Sequence, residues 1–393
     1  GDFFFRSAAS AGALYPTEIY VAANGIKGID NGLYHFAIHS HSLVPLRKGV
    51  VIGPAQGEGT RLTFLLTAIF FRSAWKYRAR AYRYHLLDTG HVAENLLLAL
   101  KASHLPFSVT YDFDDGEVNR LLGLDEQKEV ALAIIHVPGG IGTSLKDKEA
   151  IPPLPGSVMQ ASCVSAKETD YPAIKEIHDA GNQVRSGTVK EMVQELGLAP
   201  KNWVALQTRR SWPESLDYPS AVFRRRSRRN FIKRPMSREA LNALLHSLSL
   251  NGCSPYDESV AVGFLLGQVE GMETGFYLLD RKTESRALVS LGQLMAKSTS
   301  ICLDQEWLVN AGVHFLFIAN LEVIEKTWGP RAYRYAMLTA GRLGQRLYVA
   351  AEAMGMGCCG IGALYDGEAM DMLGLNKSSR LLYLVAVGNV KRS

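Results

Sequence analysis

The chain has 393 residues, of which 47% are hydrophobic and 21% are charged, and its formal net charge is +5. The length favours two domains, each with enough apolar residues for a core of ordinary size. No stretch approaches the roughly 20 apolar residues of a membrane span, so no membrane partner is expected. The charge is weaker than the broad basic field of most nucleic-acid-binding proteins, so no nucleic acid is expected either.

Cysteine and histidine usage gives no sign of a metal or disulfide site. The five cysteines are an odd set without Cys-x-x-Cys spacing, which disfavours a disulfide framework and a zinc site. The ten histidines form no cluster with metal-ligand spacing. We therefore expect no metal and a cytoplasmic location, although a chain that opens with Gly1 rather than Met leaves targeting open.

Apolar alternation and turn residues predict a mixed succession of hairpins and helices. This succession is typical of an α+β fold rather than strict βαβ alternation. The elements predicted in the first half are strands at 17–23, 32–39, 42–47 and 61–71, a helix at 82–103, a strand at 107–111, a helix at 115–122 and a strand at 129–137.

The second half repeats the first. Residues 80–84 (RAYRY) recur as residues 331–335, and the same offset of 251 relates residues 121–125 (LLGLD) to 372–376 (MLGLN). A collinear series of this length indicates a duplicated domain, and a fused duplicate usually mimics a two-fold dimer. After each RAYRY, apolar and small residues recur at alternating spacings of four and three, which predicts one face of a helix. These residues are Leu86, Gly90, Ala93, Leu97 and Leu100 in the first copy, and Met337, Gly341, Gly344, Tyr348 and Ala351 in the second.

The repeat predicts three segments of chain. The first copy is assigned to residues 1–138, a connector with short helices near 172–181 and 187–196 to residues 139–220, and the second copy to residues 221–393. The second copy begins near Arg225, and an offset of 243 would place the matching start of the first copy before Gly1. We therefore expect the opening segment of the first copy to be absent from this chain.

The first copy carries two segments that could build a site. Residues 10–16 (SAGALYP) place small side chains before strand 17–23, which leaves room for a ligand beside the backbone. Residues 72–77 (RSAWKY) follow strand 61–71, and Lys76 and Tyr77 at their end could serve as a general acid–base pair beside a cofactor. An exposed lysine and a packed tyrosine are the alternative interpretation.

The second copy carries two different segments. Residues 225–231 (RRSRRNF) suit a terminal phosphate, because guanidinium groups bind phosphate in a bidentate manner; a solvated face or a nucleic-acid arm is the alternative. Residues 355–362 (GMGCCGIG) predict a glycine-rich turn that passes close to a flat group such as a flavin ring, or that packs against the other copy. Thr327 and Trp328 stand where the first copy has its Lys–Tyr pair. This complementary loss predicts one composite site at the interface of the copies.

Together these segments resemble the FMN-dependent nitroreductase superfamily. They most resemble its SagB-type branch, the azoline dehydrogenases that make thiazoles and oxazoles in modified peptides. The resemblance rests on residues 10–21 (SAGALYPTEIYV), 32–36 (GLYHF), 76–100 (KYRARAYRYHLLDTGHVAENLLLAL), 225–231 and 357–366 (GCCGIGALYD). It implies a nitroreductase-like fold with a mixed, mostly antiparallel sheet wrapped by helices, in two tandem copies that form a pseudo-dimer around FMN.

The resemblance also implies a role for each matching residue. Lys76 and Tyr77 would be the catalytic pair that acts as base in azoline oxidation. The FMN phosphate would be held by Arg225, Arg226, Ser227 and Arg229, with Lys391 or Arg392 from the last strand. The ring would be contacted by Ser10, Ala11, Ala13 and Arg72 on one side and by Gly360, Ile361 and Gly362 near its N5 atom.

Three functional hypotheses follow. The first is an FMN-dependent oxidoreductase acting on a small-molecule or modified-peptide substrate, with Lys76 or Tyr77 taking the proton. The second is an NAD(P)H-dependent nitro or quinone reductase, which rests on the fold resemblance alone. The third is a non-enzymatic flavin- or RNA-binding relic that uses the arginine cluster. Under the first hypothesis the pseudo-dimer lies within one chain, so a monomer would suffice.

Overall fold

Residues of the chain group into two units by their contacts. The computed structural model describes residues 5–49, 60–139, 153–182, 194–207, 217–249 and 254–391. The described residues before position 188 form the first unit and the later ones form the second, except that Ser7–Ala9 belongs to the second. Within the described residues, no helix combines the length and the apolar character that a membrane span requires.

The first unit is an antiparallel sheet with helices. Its sheet has the strand order β3-β2-β1-β4-β6-β5, and each pairing of neighbouring strands is antiparallel. The strands are β1 (Thr17–Ala23), β2 (Gly32–Ala37), β3 (Ser42–Lys48), β4 (Thr60–Ile69), β5 (Ser108–Thr110) and β6 (Glu129–Pro138). The helices are α1 (Phe71–Tyr77), α2 (Ala81–Ala102), α3 (Asp115–Leu122), α4 (Gly156–Gln160) and α5 (Pro172–Ala180).

The second unit is built in the same way. Its sheet has the order β12-β13-β11-β8-β9-β10-β7, again with antiparallel pairings. The strands are β7 (Lys201–Ala205), β8 (Ala261–Leu266), β9 (Gly275–Asp280), β10 (Ser285–Leu291), β11 (Val313–Asn320), β12 (Gly357–Ile361) and β13 (Ser379–Gly388). The helices are α6 (Tyr218–Arg224), α7 (Arg238–Ser247), α8 (Met295–Ile301), α9 (Leu321–Trp328), α10 (Ala332–Ala353) and α11 (Asp366–Leu373).

The two sheets confirm the duplication. Read from the other edge, the first sheet is β5-β6-β4-β1-β2-β3, which is the order of the second sheet once β7 is set aside. Helices α2 and α10 begin and end at the offset of 251, and so do α3 and α11. Both α3 and α11 end at a left-handed glycine, Gly123 with φ 68° and Gly374 with φ 66°, a conformation that costs other residues more. The α+β class and the mostly antiparallel sheets are as predicted.

The same local signals build equivalent elements in both copies. Every residue of the predicted stripes is buried, but most of the other residues of α2 and α10 are buried as well, so the stripes do not mark one core-facing side. In the first unit, Asp114 accepts the Glu117 N–H at 2.8 Å and so caps α3. That helix packs Val118 and Leu122 into a core that also holds Leu65 of β4.

Two predicted elements near the candidate residues are wrong. The strand predicted over 61–71 ends at Ile69, so Lys76 and Tyr77 lie in the last turn of helix α1 and not at the end of a strand. The residues immediately before and after the end of strand β4 are apolar, so the periodicity of the sequence could not show where the strand ends and the helix begins. The predicted turn over 355–362 contains strand β12, which pairs with β13; Gly355, with φ 69°, makes the turn.

The predicted connector contains more structure than short helices alone. The helix predicted near 172–181 is α5. Of the helix predicted near 187–196, residues 187–193 lie outside the described residues and residues 194–196 are not helical. Strand β7 was not predicted; it pairs with β10 and extends the second sheet. The segment boundaries at 138 and 220 stay a prediction.

Candidate active site

The loop over residues 10–15 in the first unit has a strained backbone. Gly12, Ala13 and Tyr15 have φ values of 63°, 55° and 47°. This left-handed conformation is unfavourable for residues with a side chain, so neighbouring groups must hold it. Within the loop, Ser10 Oγ accepts the Tyr15 N–H at 2.9 Å and the Ser10 carbonyl accepts the Ala13 N–H at 3.1 Å.

Asp88 of α2 holds the start of this loop. Ser10 Oγ donates to Asp88 Oδ2 at 2.5 Å, and the Ala11 N–H donates to Asp88 Oδ1 at 3.1 Å. Burial raises the pKa of Asp88 to about 7, although the two hydrogen bonds favour its charged form. We did not predict this residue from the sequence. The available signal was an acidic residue three positions after His85 on the predicted helix, and it was weak because Glu94 is a second buried carboxylate on the same helix.

The Lys76–Tyr77 pair lies against the same loop. A methyl group placed on Gly12 would lie 2.6 Å from Tyr77 Oη and 3.0 Å from Lys76 Nζ. Lys76 is exposed and Tyr77 is half-buried, and the Tyr77 ring meets the Tyr84 ring edge-on at 4.6 Å between centroids. The structure thus brings the predicted catalytic pair and the small-residue loop together within the first unit.

Arg72 supports the other end of the loop. Its Nη1 donates to the Tyr15 carbonyl at 3.2 Å and to the Glu18 carboxylate. Burial would raise the pKa of Glu18, but the His35 hydrogen bond and the charges of Arg72 and Arg6 lower it to about 2. Glu18 therefore stays ionised and keeps Arg72 beside the loop.

The arginine segment of the second unit has one buried and several exposed cations. Arg225 is buried; its Nε donates to the Ser7 carbonyl, and its guanidinium lies 5.4 Å from the centre of the Tyr348 ring. Arg226 and Arg229 are exposed, and Arg229 lies 5.9 Å from the centre of the Trp307 ring. The exposed guanidinium groups could therefore bind an anion, whereas Arg225 packs beneath them.

An acidic residue lies among these cations. Burial raises the pKa of Glu352, near the end of α10, and the charges of four neighbours lower it. The neighbours are Arg224, Arg225, Arg226 and Arg228. Among the described residues, these four guanidinium groups outnumber the nearby carboxylates of Glu352 and Asp217, which leaves an excess of positive charge that a phosphate could neutralise.

Tyr348 links the arginine segment to the glycine-rich segment. Its Oη lies 3.0 Å from Ser227 Oγ and accepts the Gly360 N–H at 2.7 Å. Burial raises the pKa of Tyr348 well above its usual value, so the phenol stays neutral. The sequence indicated Tyr348 only as a member of the buried stripe. The signal that it does more was the contrast with Leu97 at the equivalent position.

Gly360 packs against Tyr383 of the same unit, which leaves no space for a side chain. A methyl group there would lie 1.7 Å from Tyr383 Oη. In the first unit Val109 stands at the position of Gly360 and Ala133 at the position of Tyr383. The larger side chain is thus on the edge strand in the first unit and on the neighbouring strand in the second. Packing against Tyr383 accounts for Gly360, and neither a flavin nor the other copy is needed to explain it.

The remaining predicted residues lie beside these groups. Ile361 ends β12 and is buried, and Gly362 follows it. Lys391 is exposed; its carbonyl accepts Asn230 Nδ2 at 2.7 Å, which places it beside the arginine segment. Arg392 lies outside the described residues. Among the described residues, no group of three or more His, Cys, Asp or Glu side chains is arranged to hold a metal ion.

The sequence pattern of the Nitroreductase family matches residues 4–140 and 273–389, one region in each copy. The chain belongs to the nitroreductase family. Its tandem organisation consists of two nitroreductase regions.

Two curated relatives are named for the processing of peptides. The trifolitoxin-processing protein TfxB of Rhizobium leguminosarum bv. trifolii is 31% identical over 151 residues, which cover 35% of this chain and 40% of that protein. The microcin B17-processing protein McbC of Escherichia coli is 28% identical over 145 residues, which cover 34% of this chain and 53% of that protein. The chain thus matches about half or less of the length of each.

A solved structure covers almost the whole chain. The crystal structure of a candidate nitroreductase from Anabaena variabilis is 25% identical, with a TM-score of 0.79, and it covers 98% of this chain and 82% of that one. A tandem of two nitroreductase regions is therefore not peculiar to this sequence.

Proposed function

We propose that this member of the nitroreductase family is an FMN-dependent dehydrogenase of azoline rings on modified peptides, as in the SagB-type branch. The observation that carries the proposal is the position of Gly12, against which both Tyr77 Oη and Lys76 Nζ lie. The names of the two curated relatives, which refer to peptide processing, support the substrate class.

The second unit offers residues that fit the FMN phosphate. Arg226, Ser227 and Arg229 are exposed beside Lys391, and positive charge is in excess there. We assign the phosphate to these residues and to Arg392, and give Arg225 the role of packing beneath them. Guanidinium groups suit this ligand because they present paired donors to its oxygens.

We assign the flavin ring to segments of both copies. Because the Gly360 N–H is donated to Tyr348, Ile361 and Gly362 are the better candidates for contact with the ring in the second copy. The loop over residues 10–15 would contact it from the first copy. The sequence supports a composite site, because each copy keeps the segments that the other lacks.

The proposed reaction removes two hydrogen atoms from the azoline ring. One leaves with its electron pair as a hydride equivalent and the other leaves as a proton, which yields the aromatic azole. The chemistry that FMN would supply when bound is that of an acceptor for the hydride equivalent, with dioxygen as an external acceptor for the electrons. Lys76 Nζ or Tyr77 Oη would accept the proton, since both atoms lie against Gly12 in the small-residue loop.

A spectrum and one assay test this proposal. The purified chain should show flavin absorption with one FMN per chain, and it should convert a synthetic peptide bearing one thiazoline ring to the thiazole, with the loss of two hydrogens. The double variant Lys76→Ala/Tyr77→Phe should keep its flavin and lose turnover. Full activity of that variant would overturn the proposal.

The same assay separates the proposal from the reductase hypothesis. An NAD(P)H-dependent nitro or quinone reductase would bleach its flavin rapidly with NADPH, reduce a quinone, and leave the thiazoline peptide unchanged. A chain that cannot be reconstituted with FMN and that binds RNA with a steep salt dependence would favour the non-enzymatic hypothesis. Light scattering tests the prediction of a monomer.

A further inference from the structure

Helix α2 buries several ionisable side chains, and two of them lie on one face. His85 and Asp88 are three residues apart, so they lie on adjacent turns of the same side. His85 Nε2 lies 3.1 Å from the Phe70 carbonyl. A carbonyl can only accept, so Nε2 carries the hydrogen, and burial lowers the pKa of His85 to about 3, which keeps the ring neutral.

These two side chains hold the two segments that meet at Gly12. Phe70 immediately precedes α1, which carries Lys76 and Tyr77 in its last turn. Asp88 holds the loop over residues 10–15 through Ser10 Oγ and the Ala11 N–H. One helix face therefore fixes both the acid–base pair and the strained loop that lies against it.

The strain in the loop explains why it needs such an anchor. Ala13 and Tyr15 both have positive φ values, which cost on the order of 1–2 kcal/mol each. A backbone in this state persists only where its surroundings hold it, and it is found mainly at functional sites. Asp88 supplies the hydrogen bonds at one end of the loop, and Arg72 holds the Tyr15 carbonyl at the other.

The second copy has lost both ionisable residues. Ala336 and Thr339 stand at the positions of His85 and Asp88, at the offset of 251. Thr339 Oγ1 donates to the Tyr256 carbonyl at 3.4 Å, and Tyr256 belongs to the turn over Pro255–Ser259 that corresponds to the loop over residues 10–15. The contact is retained without the acidic group in the copy that has no Lys–Tyr pair.

We propose that Asp88 is a positioning residue for the dehydrogenation: its carboxyl group fixes the loop over residues 10–15, and the loop fixes where Lys76 Nζ and Tyr77 Oη can meet the substrate. This inference rests on the proposed function. Asp88 contacts the loop and not the reacting atoms, so its effect is on geometry. The Ser10 hydroxyl, whose hydrogen is donated to Asp88, can only accept hydrogen bonds from a ligand.

Three variants of the full chain test this role. Asp88→Ala should lower kcat about 10- to 100-fold with a smaller effect on KM, because a displacement of the order of 1 Å can cost this much. Asp88→Asn should recover most of kcat, because an amide oxygen at the position of Oδ2 can accept both hydrogen bonds, the Ala11 N–H lying 3.2 Å from Oδ2. Thr339→Ala, the matched change in the second copy, should keep the wild-type kcat.

Hydrogen–deuterium exchange of the same variants gives a readout apart from activity. Exchange at residues 10–15 should be faster in Asp88→Ala and unchanged in Asp88→Asn and Thr339→Ala. If Asp88→Ala does not fold, Ser10→Ala removes one of the same hydrogen bonds and should show faster exchange and a smaller loss of kcat.

The outcomes separate this inference from the proposed function. Retained turnover in Lys76→Ala/Tyr77→Phe would remove the proposed function, whatever Asp88 does. If that double variant is inactive while Asp88→Ala keeps wild-type kcat and wild-type exchange, the positioning role alone is overturned. An Asp88→Asn variant as slow as Asp88→Ala would also contradict it, since the acceptor oxygen would then not be what matters.

Discussion

Helices α1 and α9 occupy the same place in the two copies, and they end differently. Helix α1 follows strand β4 and precedes the long helix α2, and helix α9 follows strand β11 and precedes the long helix α10. Helix α1 ends with exposed Lys76 and half-buried Tyr77, whereas α9 ends with Thr327, which bonds the Val323 carbonyl of its own helix at 2.8 Å, and with buried Trp328. The same arrangement of backbone elements therefore has a polar and partly exposed helix end in the first copy and a buried helix end in the second.

The residues that support these ends differ in the same sense. Beside α1 the long helix carries His85 and Asp88, and beside α9 it carries Ala336 and Thr339. At the edge strands it is the second copy that has the smaller residue: Gly360 of β12 makes room for Tyr383, whereas β5 has Val109 at the equivalent position. Under the proposed function the two copies supply different parts of the site, and the following changes test this division.

The largest expected effect is the loss of activity on removal of the Lys–Tyr pair. Lys76→Ala/Tyr77→Phe should lower kcat for the thiazoline peptide by about 10²–10⁴-fold, the usual contribution of acid–base groups. Thr327→Ala at the matched place in the second copy should keep the wild-type value. Equal losses from both changes, measured by steady-state kinetics, would contradict the division between the copies.

The next largest effect is on stability at the edge strand. Gly360→Ala should lower the free energy of unfolding by about 3 kcal/mol, because the new methyl group would overlap the Tyr383 hydroxyl. Gly367→Ala, where a methyl group meets nothing within 4 Å, should be neutral or stabilising by up to about 1 kcal/mol. Urea unfolding measures both. A stable Gly360→Ala variant would show that Tyr383 does not require the glycine.

A smaller effect concerns the pH dependence of stability. The pKa of Asp88 is raised from 3.8 to about 7, so the folded chain binds this proton more tightly than the unfolded chain. Its contribution is complete below about pH 4 and is lost as the pH rises toward 7, by about 2 kcal/mol between about pH 5 and about pH 7. Urea unfolding across this range should show the slope in the wild type and in Thr339→Ala, and a reduced slope in Asp88→Asn.

The smallest expected effect is at the buried tyrosine of the second copy. Tyr348→Phe removes the hydroxyl that joins Ser227 to the Gly360 N–H, and it should lower the free energy of unfolding by about 1 kcal/mol. It should also weaken FMN binding, because both segments lose a shared support. Leu97→Met, a matched position with no hydroxyl, should leave the FMN dissociation constant unchanged. Fluorescence titration with FMN decides the point.

The elements with strong periodicity were predictable. The buried stripe along α2 and α10, the helix α3 and the strand β1 all came from local patterns in the sequence. The RAYRY repeat gave the duplication itself. The end of β4 was not predictable, because Phe70 and Phe71 continue an apolar run that fits a strand as well as a helix.

The residues of the candidate site stay a prediction, and their supports were not predicted. The sequence by itself determined which segments resemble the nitroreductase superfamily, namely the Lys–Tyr pair, the small-residue loop and the arginine segment. The sequence did not distinguish Asp88 and Tyr348 from the other residues of the two long helices. Only the tertiary structure decided that they hold Ser10 and Gly360, because a hydrogen bond between residues 78 positions apart depends on how the chain folds back and not on any local pattern.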